Sequence, residues 1–157
     1  MCAQHVGCDV DGIALKILKA DPCITLPKYE SEGAAGIDLR AFLGADVCIP
    51  PLGRARIPTG LKLEIPEGYE GQVRPRSGLA IKTGLTVLNS PGTIDSDYRG
   101  DLEIILINLG AENVIIKDGE RIAQLVIAPV SRVQIEETFE LSATKRGTGG
   151  FGSSGVN

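Results

Sequence analysis

The chain has 157 residues, 43% of them hydrophobic, which suffices for one substantial core and leaves no material for a second full domain. Sixteen basic against twenty acidic residues give a formal net charge of -4, which argues against duplex DNA or an anionic membrane as a general partner but leaves room for a small phosphate-bearing molecule. No apolar run approaches membrane-spanning length, and the first residues lack the charged-then-apolar order of a secretory signal, so the expected location is cytoplasmic.

Residues 1–12 precede the first patterned segment and are expected to form a poorly ordered leader. Cys2, His5 and Cys8 in it could in principle gather a metal. The four cysteines (with Cys23 and Cys48) form no Cys-x-x-Cys pair, however, and free thiols are the expectation. Glycines and prolines punctuate the rest closely, which suits short strands joined by turns. Leu15 and Ile17, then Leu61, Leu63 and Ile65, place apolar side chains at period two, the mark of a strand with one buried face. Ser77 to Thr83 could make about two helical turns, with Ser77 as a plausible N-cap. Alternation resumes at Leu102, Ile104 and Leu106 and at Val114 and Ile116. Ile122 to Ala128 is a denser apolar run whose one polar residue is Gln124, and Arg132 to Ile135 reads as a further β-branched stretch. Glu136 to Arg146 reads as extended or loop. From Arg146 the composition turns glycine-rich. The expectation is an all-β sandwich, jelly roll or barrel over 13–145, with at most one short helix and a mobile arm over 146–157.

Three segments carry candidate chemistry. Pro75 to Ala80 sets a guanidinium, a hydroxyl and backbone N–H groups at a possible helix start, either an anion site or a solvated loop. Asn89 to Asp101 crowds three carboxylates, a ring and an amide between apolar strands. It is either an acidic loop closed by Asx turns or a nucleotide pocket with a carboxylate to activate water. The tail lacks the lysine of a Walker motif. It is a linker or a place where Phe151 lands on a ligand while Arg146 reaches a phosphate.

In order, Ala35–Leu39, Pro75–Ala80, Gly92–Gly100, Gly119–Leu125 and Arg146–Gly155 resemble the five motifs of the homotrimeric dUTPase family, over nearly the whole chain. The resemblance implies a jelly-roll subunit, a homotrimer with sites shared between subunits, and hydrolysis of dUTP to dUMP and pyrophosphate by attack on the α-phosphorus. Such an activity limits uracil incorporation into DNA and supplies dUMP for thymidylate synthesis. It implies Asp95 as the base for the attacking water, with Asn89 and the backbone of Thr93, Ile94 and Asp95 reading uracil and Tyr98 packing under the deoxyribose. It further implies Arg76, Ser77, Gly78 and Gln124 on the phosphates, Arg146 and Ser153 closing from the tail, and Phe151 stacking on the base. Asp38 is expected one layer behind, holding loop structure and a magnesium-bound water. The implied cofactor is Mg2+ carried by substrate phosphates and waters, with no direct protein ligand. Asp95-Ser96-Asp97-Tyr98 resembles the dUTPase pattern rather than that of the related dCTP deaminases. A catalytically silent nucleotide-binding trimer is the alternative of another class.

Overall fold

The structure, a computed structural model, describes residues 12–150. In chain order the elements are β1 (Lys16–Lys19), β2 (Ile37–Arg40), β3 (Val47–Ile49), β4 (Arg54–Glu64), β5 (Tyr69–Arg74), α1 (Ser77–Thr83), β6 (Leu85–Val87), β7 (Gly92–Ile94), β8 (Leu102–Asn108), β9 (Val114–Ile116) and β10 (Arg121–Pro129). They form two four-stranded sheets, in the orders β1-β4-β8-β6 and β2-β10-β5-β7, and a small pair, β3-β9. All the pairings are antiparallel, and the two-sheet arrangement is of the jelly-roll kind. No helix of the described residues is long and apolar enough to cross a membrane.

Alternation explains the layering. Leu61 and Leu63 on β4 and Leu102, Ile104 and Leu106 on β8 turn inward from the first sheet, while Leu39, Val73 and Leu125 turn inward from the second, and all join one core. Two polar residues are buried inside it, and both are satisfied. Thr59 donates to the Leu102 carbonyl at 2.6 Å where β4 shifts register between Pro58 and Leu61, a bulge that also accommodates a proline with no N–H to give. Asn108, with no exposed surface, donates from Nδ2 to the carbonyls of Ile49 (2.9 Å) and Glu112 (2.7 Å) and accepts from the Gly110 N–H (2.8 Å). It thereby ties the end of β8 to β3 and to the turn before β9.

Two expectations need correction. Ser77 is the first residue of α1, not its cap. Arg76, in extended conformation, holds the cap position and makes no side-chain capping bond, while Gly84 closes the helix in the left-handed region that glycine tolerates. Arg132 to Ile135 forms no strand either. Pairing ends at Pro129, the Val130 N–H still reaches the Gly68 carbonyl at 2.9 Å, and 131–150 runs on without strand or helix. The β-branched pattern there lacks a partner in its own chain, and a strand without a neighbouring ladder does not form.

Candidate active site

The strand registers gather one row of side chains. Asp38 on β2 faces Gln124 on β10, which faces Arg74 on β5, and two residues along β5, Gln72 faces Thr93 on β7. Residues at these positions share the face of the second sheet turned away from the core, because their neighbours Leu39, Leu125 and Val73 point inward. The first, second and fourth motif segments meet at one end of that face.

Asp38 is the hub there. Its Oδ1 accepts from Arg76 Nε at 2.9 Å and its Oδ2 from Arg121 Nη1 at 3.0 Å, and Arg76 Nη1 also donates to the Arg121 carbonyl at 3.3 Å. The carboxylate is mostly buried, with 16% of its side-chain surface exposed, and charge-assisted bonds in such a setting fix a guanidinium more firmly than a surface pair would. Gln124 Nε2 donates to the Pro75 carbonyl at 2.9 Å, so it braces the backbone entering α1. Gly36 lies close beside β10, where a Cβ would stand 2.8 Å from Gln124 Oε1 and would push that amide aside. Ser77 and Gly78 are exposed beyond Arg76. Arg121 was given no individual role by sequence reasoning. Its signal was a cation within the fourth motif, but the bulge between Arg121 and Ala123 that presents it to Asp38 leaves no mark in the sequence.

The third motif forms the β7 hairpin and the loop after it. Asn89 is exposed and folds against Gly92, where a Cβ would lie 3.1 Å from its Nδ2. Thr93 and Asp95 are exposed, Ile94 half-buried, and the Tyr98 N–H bonds the Asp95 carbonyl at 3.2 Å to close the turn. Asp95 lines a depression of about 260 Å³ with Tyr69, Glu70, Asp97 and Arg132. A second depression, of about 430 Å³, lies between Gln72, Arg74, Ser90, Pro91 and Gln124.

Asp95 and the Asp38–Arg76–Arg121 clasp do not meet within one chain, although Ser90 and Pro91 of the third segment adjoin Gln124. From Asp38 to Asp95 the path crosses three interstrand spacings of about 4.8 Å and runs about four residues of 3.3 Å along the strands, so they stand about 20 Å apart. That exceeds what a base at one phosphorus and a guanidinium on the same triphosphate could span. Arg146 is exposed in a turn of its own, donating from Nε to the Gly149 carbonyl at 2.7 Å. Phe151 and Ser153 lie outside the described residues.

A family model described as dUTPase matches residues 23–155. The chain is 59% identical over 135 residues to the deoxyuridine 5'-triphosphate nucleotidohydrolase of Rhizobium etli (strain CIAT 652), covering 85% of this chain and 86% of that one. Among solved structures it resembles a dUTPase of Staphylococcus bacteriophage 80alpha with dUpNHpp (TM-score 0.79, 30% identity, covering 91% of this chain and 99% of that one). It also resembles the dUTPase of the S. aureus phage phi11, described with a coordinated structural Mg(II) ion (TM-score 0.74, 25% identity, 83% and 99% covered).

Proposed function

The chain belongs to the dUTPase family and hydrolyses dUTP to dUMP, and on that premise we propose that each of its sites is assembled from several subunits of a homotrimer. The single observation that carries this reading is the separation of about 20 Å between Asp95 and the Asp38–Arg76–Arg121 clasp in one chain, which a neighbouring copy closes. The stretch that follows β10 supports it. Val133, Ile135, Phe139 and Leu141 keep strand-like spacing, lie exposed and have no strand partner among the described residues, as a segment bound for another subunit would. Residues 13–145 then form the body and 146–157 the closing arm.

In the assembled site Asn89 and the backbone of Thr93 to Asp95 read the uracil edge, and Tyr98 floors the deoxyribose. Arg76, Ser77, Gly78 and Gln124 from another subunit hold the phosphates, and Arg146, Ser153 and Phe151 close over them. Asp95 accepts the proton of a water whose oxygen bonds to the α-phosphorus as the bond from that phosphorus to the α,β-bridging oxygen breaks, releasing pyrophosphate. Asp38 positions Arg76 through its Oδ1 and Arg121 through its Oδ2, and the remaining lone pairs of the two oxygens can still accept from a magnesium-bound water.

Enzymes of this family use a divalent metal. Magnesium prefers oxygen donors and gives up its waters reluctantly, so it would be held through phosphate oxygens and waters, with Arg76 sharing in the neutralisation of charge. When bound, it neutralises triphosphate charge. Cys23 and Cys48 are free and exposed, which suits a reducing cytoplasm.

The test is complementation. Asp95→Asn and Arg76→Ala homotrimers should each be nearly inactive, while co-expressed mixed trimers should regain dUTP hydrolysis at sites pairing an intact Asp95 with an intact Arg76. Verified mixed trimers no more active than a blend of the parents would end the shared-site reading.

A further inference from the structure

The loop after β7 holds its tyrosine in an unusual amount of local bracing. The Tyr98 ring folds back over Gly100: a Cβ there would lie 2.3 Å from Oη and 2.5 Å from Cζ, closer than atoms can approach. The hydroxyl donates to the Asp101 carbonyl at 3.1 Å, and the Asp101 carboxylate lies 3.6 Å from Lys62 Nζ on β4. Arg99 turns its guanidinium back under the same loop and donates from Nη1 to the carbonyls of Ser96 (2.6 Å) and Tyr98 (2.9 Å). The tyrosine stays 44% exposed, so the side of the ring turned away from Gly100 is open to a ligand.

We propose that Arg99 and Gly100 are positioning residues that set the height of the Tyr98 ring and through it the rejection of nucleotides carrying a 2′-hydroxyl. The proposal rests on Tyr98 flooring the deoxyribose. Selectivity against one added hydroxyl demands a wall that neither recedes nor tilts. A tyrosine on an exposed loop has two free side-chain torsions and cannot supply such a wall alone. Gly100 supplies the seat, since only a residue without Cβ lets the ring lie flat on the backbone. Arg99 supplies the stiffness, because one planar guanidinium bonded to two carbonyls of the loop prevents the loop from opening.

The two residues fail in opposite directions. Gly100→Ala lifts the ring toward the sugar, so KM for dUTP rises about tenfold with a smaller change in kcat. Arg99→Ala lets the ring recede, so kcat/KM for UTP rises about tenfold, and Arg99→Lys, a point charge on a flexible stem, recovers part of the discrimination. Arg99→Ala lowers the dUTP-to-UTP ratio of kcat/KM, whereas Gly100→Ala lowers kcat/KM for dUTP without lowering that ratio. The experiment measures that ratio, with trimer content checked by size-exclusion chromatography, for these variants beside Tyr98→Ala as the reference. A lowered ratio in Tyr98→Ala together with the two opposed defects is the expected result. A lowered ratio in Tyr98→Ala with a wild-type ratio in Arg99→Ala and a wild-type KM for dUTP in Gly100→Ala overturns the bracing and leaves the sugar floor standing. An unchanged ratio in Tyr98→Ala removes the sugar floor and the bracing with it. If Gly100→Ala does not fold, the Arg99 pair decides alone.

Discussion

Replacing Asp38 by asparagine keeps the side chain's shape and removes the charge that stands between two guanidinium groups. The amide oxygen can still accept from one arginine, but the amide nitrogen turns a donor toward the other, so one bond is lost and Arg76 and Arg121 are left facing each other uncompensated. A hydrogen bond to a charged group contributes about 1.5–3 kcal/mol. Arg121 is 41% exposed and its share is screened, whereas Arg76 is 25% exposed, so the net loss should be about 2 kcal/mol. For a chain of this size that lowers Tm by about 4–8 °C. Function should suffer in binding. Arg76 no longer arrives aimed at the phosphates, and KM for dUTP should rise about tenfold. Thermal unfolding at matched protein concentration and steady-state kinetics read the two effects. An Asp38→Asn enzyme that melts with the wild type and keeps its KM would refute the positioning role.

Asp95→Asn should still bind dUTP, measured by calorimetry, while kcat falls about 100- to 10,000-fold, because the amide can orient a water but cannot take its proton. Asn108→Ala leaves two carbonyls and an N–H without partners in the core and should cost about 3 kcal/mol in denaturant unfolding, with turnover per folded enzyme unchanged. Lys16, bonded to Glu64 at 2.6 Å, holds that carboxyl below the usual glutamate range. The stabilisation from this pair is therefore present above the ordinary glutamate pKa and lost as pH falls through the lowered one. Titration followed by NMR should show the Glu64 carboxyl moving back up toward the ordinary glutamate value in Lys16→Ala.

Period-two alternation made the long strands legible in the sequence, because Leu61, Leu63, Leu102, Ile104 and Leu106 each face one core. β3, β6 and β7 have three residues apiece, too few for a period to register, and they exist because neighbouring strands supply their ladders. The same dependence produced the error at Arg132 to Ile135, where the pattern is present and the ladder is not. The cap of α1 falls on Arg76, whose extended backbone and lack of a capping bond give the sequence no N-cap signal to read. The motif segments themselves could be read directly. The separation of about 20 Å between Asp38 and Asp95 could not, since it arises from register across four strands.

The bare stretch after β10 also shapes the life of a newly made chain. Ile135 and Phe139 stand almost wholly in water, in a stretch held by no ladder of its own. Until another surface covers it, that stretch is the easiest place for a protease to grip and for two chains to stick in the wrong register. Correct assembly and mistaken association both begin with an encounter between chains, so diluting or slowing synthesis does not favour one over the other. What separates them is how quickly the proper acceptor edge captures that stretch.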